Sequence, residues 1–342
     1  MIFKRIICAL LLLTFFSHNS MFAQSSNSIE QTAKMTNKLI QPPYLKAGDT
    51  VAIVAPSGIL KNREKEINQA KALLKSWGLN VVVGDNVFKK ANHFAGTDNE
   101  RAEDFQKALD TPNIKAIWCA RGGYGTVRMI DKLDYTKFKE HPKWVIGYSD
   151  ITAIHNQLNI EGSESIHAMM CTSLTDDLSK IEHTLETFKC ALFGKPLSYD
   201  IEGSKYNKTG TVNGPLVGGN LTLLHTMLGS KTSIDTSGKI LFIEEIGEYK
   251  YHIDRMLQSL KRAGYFDNLK GLIVGDMSNM RKNTTPWGTS VEQLILDVVA
   301  DYDFPVLFDF PAGHENDNRA LILGRTIQLT VSSGQSSVVF EN

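Results

Sequence analysis

The chain has 342 residues, of which 37 are basic, 37 are acidic and 42% are hydrophobic. Because the charges balance, the composition excludes the strong field of a protein built to bind nucleic acid or an anionic membrane surface. The composition is that of a soluble globular protein, and the length is sufficient for two domains.

The first two dozen residues have the layout of a secretory signal peptide. Two basic residues at 4–5 precede an almost wholly apolar run at 6–16, and Ala23 follows a polar patch. The apolar run is too short to span a membrane. We therefore predict a signal peptide at 1–23 that is removed near Ala23, export of the mature protein, and a Ser/Asn/Gln-rich linker at 24–41.

Cysteine usage argues against a fold held by disulfide bonds. Cys8 would leave with the signal peptide, so the mature chain keeps Cys119, Cys171 and Cys190. This odd and sparse set is not the pattern of a disulfide framework, although one bridge and three buried thiols are both compatible with it. Cys119 lies inside a predicted strand, so we interpret it as a small core residue rather than a nucleophile.

From Pro42 onward the sequence alternates strand and helix patterns. Apolar or β-branched runs mark four strands in the first half, amphipathic patterns mark the helices between them, and Thr97 and Glu100 form a capping box. This alternation predicts a parallel sheet covered by helices on both faces. Ligands bind such sheets beyond the carboxyl ends of the strands, so we expect the polar residues there to converge. The four strands are expected at 49–55, 81–83, 115–120 and 144–146.

The second half of the chain shows further strand and helix signals. It follows a polar, Gly-rich segment at 193–214, which we interpret as the domain boundary. These signals predict a second α/β unit that ends in β-rich segments. Strands are expected at 240–243 and 271–275, and helices at 221–228, 253–262 and 291–299.

The segment at 144–156 predicts a strand, a tight turn and a helix, with Ser149 at the turn. Asp150 and Thr152 are expected to cap the helix. A serine so placed projects its hydroxyl beside the N–H groups of a helix start, which stabilise the anionic intermediates of nucleophilic catalysis. The pattern is not the G-x-S-x-G of α/β-hydrolases. Taken alone, it is better explained by ordinary cap residues.

A glycine-rich turn at 121–125 follows the third predicted strand. Its adjacent glycines, Gly122 and Gly123, let the backbone approach a ligand closely and expose its N–H groups. The turn is compatible with oxyanion stabilisation and equally with a tight turn that needs positive φ. It is neither the G-x-G-x-x-G of dinucleotide-binding folds nor a P-loop. We therefore predict no cofactor.

Acidic residues follow the predicted strand at 240–243. Glu244 comes directly after the apolar run, where a carboxylate that orients a catalytic base would lie, and Glu245 and Glu248 are the alternatives. Glu244 and Glu245, each taken alone, are better explained as solvated loop residues. We expect Glu244 to be held most firmly, because it adjoins the buried strand.

A histidine in a Pro/Gly turn, His314, is placed to reach a site between the domains. His155 and His167 compete for the role of base, although His155 lies inside the helix after the serine, so its side chain should point away from the turn. The chain has no H-E-x-x-H, no C-x-x-C pair and no clustered metal-ligand spacing. No metal is therefore predicted.

Taken in order, these segments resemble the LD-carboxypeptidases, a family of serine peptidases that also includes the microcin C immunity peptidases. The similarity extends over nearly the whole mature chain, and the order of the segments is what makes it specific. The similar segments are 45–58, 120–125, 146–152, 214–221, 241–245, 251–257, and 313–314 with Asn318 and Leu321.

The resemblance implies an α/β fold with two domains and the active site at their interface. A Rossmann-like parallel-sheet domain is expected at 42–195, a linker at 196–213, and a smaller mixed α/β domain at 214–342. Family members are usually homodimers. The typical substrate implied by the resemblance is a murein tetrapeptide, which is hydrolysed at the L,D-peptide bond that releases its terminal D-alanine.

The resemblance also implies a catalytic triad. Ser149 is the expected nucleophile, His314 the general base, and Glu244 the acid that orients the histidine. The expected oxyanion hole consists of the backbone N–H of Asp150 and that of Gly123, which we favour over its neighbour.

The expected substrate-binding residues are Arg121, Gly122 and Asn220. A carboxypeptidase also needs a partner for the terminal carboxylate of its substrate, and Arg121 and Arg319 are both candidates by charge.

Two features depart from the family. Characterised relatives in murein recycling are mostly cytoplasmic, whereas this chain carries an export signal. We therefore expect it in the periplasm, acting on murein or released muropeptides. In addition, the family stretch that usually reads His-Gly-Pro has Ala168 after His167 here, so the substrate preference can differ.

Two other functions are compatible with the sequence. One is a serine hydrolase of another amide or of an acyl-adenylate on the same fold, as in the immunity peptidases. The other is an exported, non-catalytic muropeptide-binding protein. Three polar residues at strand ends, in the order of the triad, argue against the binding protein.

Overall fold

The structure is a computed structural model that describes residues 39–341. The predicted signal peptide at 1–23 and most of the predicted linker at 24–41 lie outside the described residues. No helix within the described range has the length and apolar character that a membrane span requires.

Strands and helices alternate through most of the described chain. Between residues 39 and 341 the strands are β1 (Thr50–Val54), β2 (Asn80–Val83), β3 (Ile114–Cys119), β4 (Trp144–Gly147), β5 (Ser165–His167), β6 (Ser198–Glu202), β7 (Gly210–Asn220), β8 (Ile240–Ile246), β9 (Gly271–Ser278), β10 (Val306–Leu307), β11 (Leu321–Leu323), β12 (Thr326–Val331) and β13 (Gln335–Phe340). In the same range the α-helices are α1 (Glu64–Ser76), α2 (Asp98–Asp110), α3 (Thr126–Met129), α4 (Thr136–Glu140), α5 (Thr152–Ile160), α6 (Glu182–Phe193), α7 (Leu221–Thr226), α8 (Lys250–Arg262) and α9 (Val291–Val298).

The first sheet has six strands in the order β11-β5-β4-β3-β1-β2, and all except β11 run parallel. Val51 and Ile53 of β1 pack in one hydrophobic cluster, whereas Ala52 and Val54 pack in another. Because successive side chains of a strand point to opposite faces, both faces of the sheet are covered. The prediction of a parallel sheet covered on both faces is confirmed.

The second sheet has seven strands in the order β10-β9-β8-β7-β12-β13-β6. The strands β7, β8, β9 and β10 are parallel, while β12, β13 and β6 extend the sheet in antiparallel fashion. The mixed α/β character predicted for the second half is confirmed. The carboxyl end of β8 is where Glu244 lies.

The segment predicted as a linker, 196–213, contains regular secondary structure. This segment contains the edge strand β6, which pairs with β13, and it also contains the start of β7. Tyr199 and Ile201 are buried, while the residues that flank them in β6 are exposed. This period-two alternation is the signal of a strand, and the polar, Gly-rich composition around it obscured that signal.

A strand from the predicted C-terminal domain completes the first sheet. β11 pairs antiparallel with β5, with Leu321 opposite His167. Shortly after β11, the buried Arg325 forms an ion pair with Glu164 and donates a hydrogen bond to the Tyr44 hydroxyl at 2.7 Å. Residues from both predicted domains therefore share one sheet, and the domain boundaries stay a prediction.

Replacing Glu164 with glutamine should lower the free energy of unfolding by about 3–5 kcal/mol, because it leaves the Arg325 guanidinium buried without a counter-charge. The two side chains are only 1% and 5% exposed, so water cannot replace the lost partner. Urea denaturation measures the change. Asp85→Asn is the matched control, since Asp85 pairs with Lys107 on the exposed surface, and its unfolding midpoint should not move. Equal shifts in the two variants would contradict the prediction.

The three cysteines of the described chain are unpaired. Cys119 and Cys171 are fully buried, and Cys190 is half-buried. Burial raises the pKa of the Cys119 thiol, which therefore stays protonated. The interpretation of Cys119 as a core residue is confirmed.

Candidate active site

Ser149 lies at the turn between a buried strand and a helix. β4 ends at Gly147, one 3₁₀ turn covers Ser149–Ile151, and α5 begins at Thr152. Ser149 has a φ of 62°, a left-handed conformation that is strained for a residue with a side chain and that is common at functional sites. The predicted strand, turn and helix are confirmed, and three apolar side chains of the turn and helix are buried: Ile151, Ile154 and Leu158.

The prediction that Asp150 and Thr152 cap this helix is wrong. The Asp150 carboxylate accepts hydrogen bonds from Ser57 and Thr126 instead. The Thr152 hydroxyl accepts one from the backbone N–H of Asn220 at 3.0 Å. These donors are buried, and they lie in the loop after β1, at the start of α3 and at the end of β7. A buried donor without an acceptor is energetically costly. The two side chains therefore accept hydrogen bonds from these buried donors rather than from the N–H groups at the start of the helix.

Ser149, His314 and Glu244 form one continuous hydrogen-bonded path. His314 Nε2 lies 3.1 Å from Ser149 Oγ, and His314 Nδ1 lies 2.7 Å from Glu244 Oε2. Glu244 is fully buried, whereas His314 is slightly exposed. These distances are those that a nucleophile, a base and an orienting acid require. Ser149 is contributed by the first sheet, Glu244 by the second sheet, and His314 by the segment that follows β10.

Of the three acids considered from the sequence, Glu244 alone contacts His314 among the described residues. It lies within β8, which extends further than predicted. Glu245 points to the other face of the strand and accepts a hydrogen bond from the Asn220 amide at 3.2 Å. Glu248 pairs with a neighbouring histidine.

Neither of the competing histidines hydrogen-bonds to Ser149. His155 contacts the carbonyl of Gly147 and the hydroxyl of Ser165, both at 2.9 Å. Burial lowers the pKa of His155 to about 4. His167 is fully buried between aromatic rings, and burial lowers its pKa well below the ordinary value. Both histidines are therefore neutral core residues.

The environment of His314 favours its protonated form. Burial by itself would lower the pKa of His314, but the hydrogen bond and negative charge of Glu244 outweigh burial, so the pKa is raised above its ordinary value. The ring of Tyr148 packs edge-on against His314, with 5.0 Å between the ring centroids. A base that is strengthened in this way accepts the serine proton more readily.

Two side chains that were not predicted as site residues hold the loop that carries His314, although one of them, Asn318, belongs to a segment that resembles the family. Asn318 Oδ1 accepts a hydrogen bond from the N–H of Gly313 at 3.1 Å, and Asp276 Oδ2 accepts one from the N–H of Glu315 at 3.0 Å. Burial raises the pKa of Asp276 to about 6. Asp276 lies within the carboxyl end of β9, so the rule that selected Glu244, an acid where an apolar strand ends, would also have found it.

The glycine-rich turn lies directly beside Ser149. A Cβ atom added to Gly122 would be 3.4 Å from Ser149 Oγ, and Gly123 has a φ of 109° that favours glycine. Within residues 39–341, neither the N–H of Gly123 nor that of Asp150 donates a hydrogen bond to the protein. Neither N–H group is therefore engaged by another group of the described protein. Their assignment as the oxyanion hole stays a prediction.

The other predicted substrate-binding residues are at least partly engaged by the protein. Arg121 is half-buried, and its Nη1 donates to the carbonyl of Ile59. Arg319 pairs with Asp317. The Asn220 amide caps α7 and bonds to an acid of β8, so its groups face the protein interior. The roles of these residues in substrate binding stay predictions.

An alanine at position 122 should lower kcat/KM by about 10-fold, because the atoms around its methyl group, those of Ser149 included, would have to move by a few tenths of an ångström. That methyl group would lie 3.3 Å from Ser149 Cβ and 3.2 Å from the Met170 methyl carbon. Gly122 has no positive φ, so the variant should fold normally, whereas Gly123→Ala should also lose stability. Steady-state kinetics and thermal melting separate the two effects. A Gly122→Ala variant with wild-type kinetics would contradict the prediction that a side chain at position 122 disturbs Ser149.

Residues 39–341 contain no group of three or more His, Cys, Asp or Glu side chains close enough to hold a metal ion. The site instead contains a serine, a histidine and a carboxylate that are joined by hydrogen bonds. Such an arrangement can carry out nucleophilic attack on a carbonyl carbon.

Family models match most of the described chain. A model of the LD-carboxypeptidase N-terminal domain matches residues 51–168, and a model of the LD-carboxypeptidase C-terminal domain matches residues 213–329. A probable murein peptide carboxypeptidase of Bacillus subtilis is 33% identical over 306 residues, which cover 88% of this chain and 94% of that protein.

Solved structures share the fold. A muramoyltetrapeptide carboxypeptidase from Oxalobacter formigenes is 29% identical with a TM-score of 0.77, covering 86% of this chain and 99% of that one. A microcin C7 self-immunity protein, solved in complex with aspartyl sulfamoyl adenosine, is 22% identical with a TM-score of 0.77, covering 89% of this chain and 99% of that one. The second likeness is one of fold alone.

Proposed function

The chain belongs to the LD-carboxypeptidase family, and from this premise we propose that it is a serine carboxypeptidase that releases the terminal D-alanine of murein tetrapeptides. The observation that carries the proposal is the hydrogen-bonded path from Ser149 through His314 to Glu244. The names of the relatives from Bacillus subtilis and Oxalobacter formigenes support murein peptides as the substrate class.

In the proposed mechanism the Ser149 hydroxyl attacks the carbonyl carbon of the scissile L,D-peptide bond. His314 Nε2 takes the hydroxyl proton and then gives it to the amine of the leaving D-alanine. Glu244 holds the imidazole in the tautomer that accepts this proton and stabilises the imidazolium that forms. Water then attacks the acyl-enzyme, with His314 again as the base, and Ser149 regains its proton.

The oxyanion of each tetrahedral intermediate is proposed to lie between the N–H groups of Asp150 and Gly123. Free N–H groups aimed at a developing negative charge stabilise it strongly in a site that excludes water. Arg121, which lies in the same glycine-rich turn, is the proposed partner of the terminal carboxylate. This pairing would confine hydrolysis to the last residue of the peptide.

Mass spectrometry of the mature protein incubated with a disaccharide tetrapeptide tests the proposal. The expected product has lost one D-alanine, and a matched tetrapeptide that ends in L-alanine should be cleaved far more slowly. An acyl-sulfamoyl or acyl-adenylate compound is tested as a second candidate substrate. If this compound is hydrolysed while the tetrapeptide stays intact, the protein is a hydrolase of another amide or of an acyl-adenylate. Tight binding of the muropeptide without any hydrolysis would favour a non-catalytic binding protein.

We propose in addition a homodimeric protein that is exported to the periplasm, as the similarity to the family and the N-terminal signal suggest. Light scattering after size-exclusion chromatography measures the mass in solution, and the mass of a monomer would contradict the proposed homodimer. Fractionation of producing cells tests the proposed export. Retention of an uncleaved protein in the cytoplasmic fraction would contradict export.

A further inference from the structure

Three loops meet behind Ser149. They follow β1, β3 and β4, which are neighbours in the first sheet, and they lead to Ser57, Thr126 and Asp150. All three of these side chains are buried. The Asp150 carboxylate lies at the centre of this junction, one residue after the proposed nucleophile.

A single carboxylate oxygen joins the three loops. Asp150 Oδ2 accepts hydrogen bonds from Ser57 Oγ at 2.6 Å, from Thr126 Oγ1 at 2.6 Å and from the backbone N–H of Thr126 at 2.9 Å. Hydrogen bonds to an ionised acceptor are shorter and stronger than those between neutral groups. The carboxylate therefore fixes the loops after β1 and β3 to the residue that follows Ser149.

Further bonds make the loops after β1 and β3 move as one unit. The buried Arg101 donates through Nη1 to the carbonyls of Pro56 and Gly125, and the second of these bonds is 2.9 Å long. The N–H of Gly58 donates to the carbonyl of Gly122 at 3.1 Å. The glycine-rich turn therefore cannot shift relative to Ser149 without breaking hydrogen bonds to buried charged groups, which is costly.

We propose that the Asp150 carboxylate is a positioning residue for the oxyanion hole, which it holds in place by fixing the Gly122–Gly123 turn against Ser149. This inference rests on the proposed function, and it gives the Asp150 side chain a role that is separate from that of its backbone N–H. The carboxylate is buried, and its hydrogen bonds go to Ser57 and Thr126 rather than to Ser149, His314 or Glu244. Its effect acts through the Gly123 N–H, because donors of this kind work only when they are in place before charge develops.

Asp150→Asn tests the inference. We expect kcat to fall by about 10- to 100-fold with KM nearly unchanged, since the oxyanion hole is used in the transition state and not in the ground state. Active-site titration corrects for any unfolded fraction. The matched control is Asp104→Asn, which removes a buried carboxylate of α2 that accepts a hydrogen bond from the Asn86 N–H at 2.8 Å. The control should keep the wild-type kcat.

Milder variants keep the inference testable if Asp150→Asn does not fold. Ser57→Ala removes one of the three hydrogen bonds and should lower kcat by a smaller factor, again without raising KM. Thr126→Ser retains the hydroxyl and the backbone N–H, so it should behave like the wild type. The inference would be overturned if the loss of kcat/KM in Asp150→Asn came entirely from a rise in KM. It would also be overturned if kcat were unchanged in both Asp150→Asn and Ser57→Ala.

Labelling by a fluorophosphonate separates this inference from the proposed function. The reagent phosphonylates an activated serine, places an oxygen in the oxyanion hole and needs no murein peptide. Wild-type Ser149 should be labelled, and Asp150→Asn should be labelled about 10- to 100-fold more slowly. Equal rates in the two proteins would overturn the positioning role while leaving the nucleophile intact. Absence of labelling in the wild type would overturn the proposed nucleophile and the inference with it.

Discussion

Replacing Ser149 with alanine should lower kcat for release of the terminal D-alanine by about ten-thousandfold to a millionfold, because the hydroxyl is the nucleophile of the proposed mechanism. A residual rate above that in water should remain, since the N–H groups of Gly123 and Asp150 are left in place. The hydroxyl contacts His314 at 3.1 Å and is not part of the core, so the variant should fold. Steady-state kinetics and a thermal melt measure both effects.

His314→Ala and the double variant provide the control for this prediction. When nucleophile and base act as one unit, removing either costs about as much as removing both, so the two losses should not add. Losses that multiply in the double variant would mean that Ser149 and His314 act independently. A Ser149→Ala variant within tenfold of the wild type would remove this serine from the mechanism.

The three residues of the hydrogen-bonded path, Ser149, His314 and Glu244, could be found from the sequence. Each lies near the end of a predicted strand or in the turn that follows one. Ser149 follows the apolar run of β4, and Glu244 lies near the end of β8. In parallel sheets such ends meet at one edge, so local patterns give a long-range prediction. His314 was harder to single out. Its selection over His155 and His167 depended on the family resemblance, and the structure supplies the physical reason, which is that the other two are buried and neither hydrogen-bonds to Ser149.

The partners of Asp150 and Thr152 could not be found from the sequence. An acid or threonine before a helix is the signal of a cap, and nothing within ten residues distinguishes a cap from another role. The donors that these side chains satisfy are Ser57, Thr126 and Asn220, which come from distant parts of the chain. Only the folded arrangement shows that those donors are buried and need acceptors.

Glu244→Gln should lower kcat by about a thousandfold to ten-thousandfold and should also move the acid limb of the pH profile to lower pH. Glutamine has similar size, but it lacks the charge that stabilises the imidazolium, and its amide can hold His314 in the wrong tautomer. The histidine must be neutral to accept the proton of Ser149, so activity falls as the pH drops through the pKa of His314. Because Glu244 raises this pKa, its loss lowers the pKa and extends the active range downward.

Asp276→Asn is the control for the pH profile, because burial raises the pKa of Asp276 to about 6 and its ionisation could therefore also produce an acid limb. The asparagine oxygen can still accept the N–H of Glu315, so the alkaline plateau of kcat should be close to that of the wild type. The acid limb should persist and shift slightly downward, since the charge of Asp276 also raises the pKa of His314. Loss of the limb in Asp276→Asn, with an unmoved limb in Glu244→Gln, would identify Asp276 rather than His314 as the group whose ionisation limits activity.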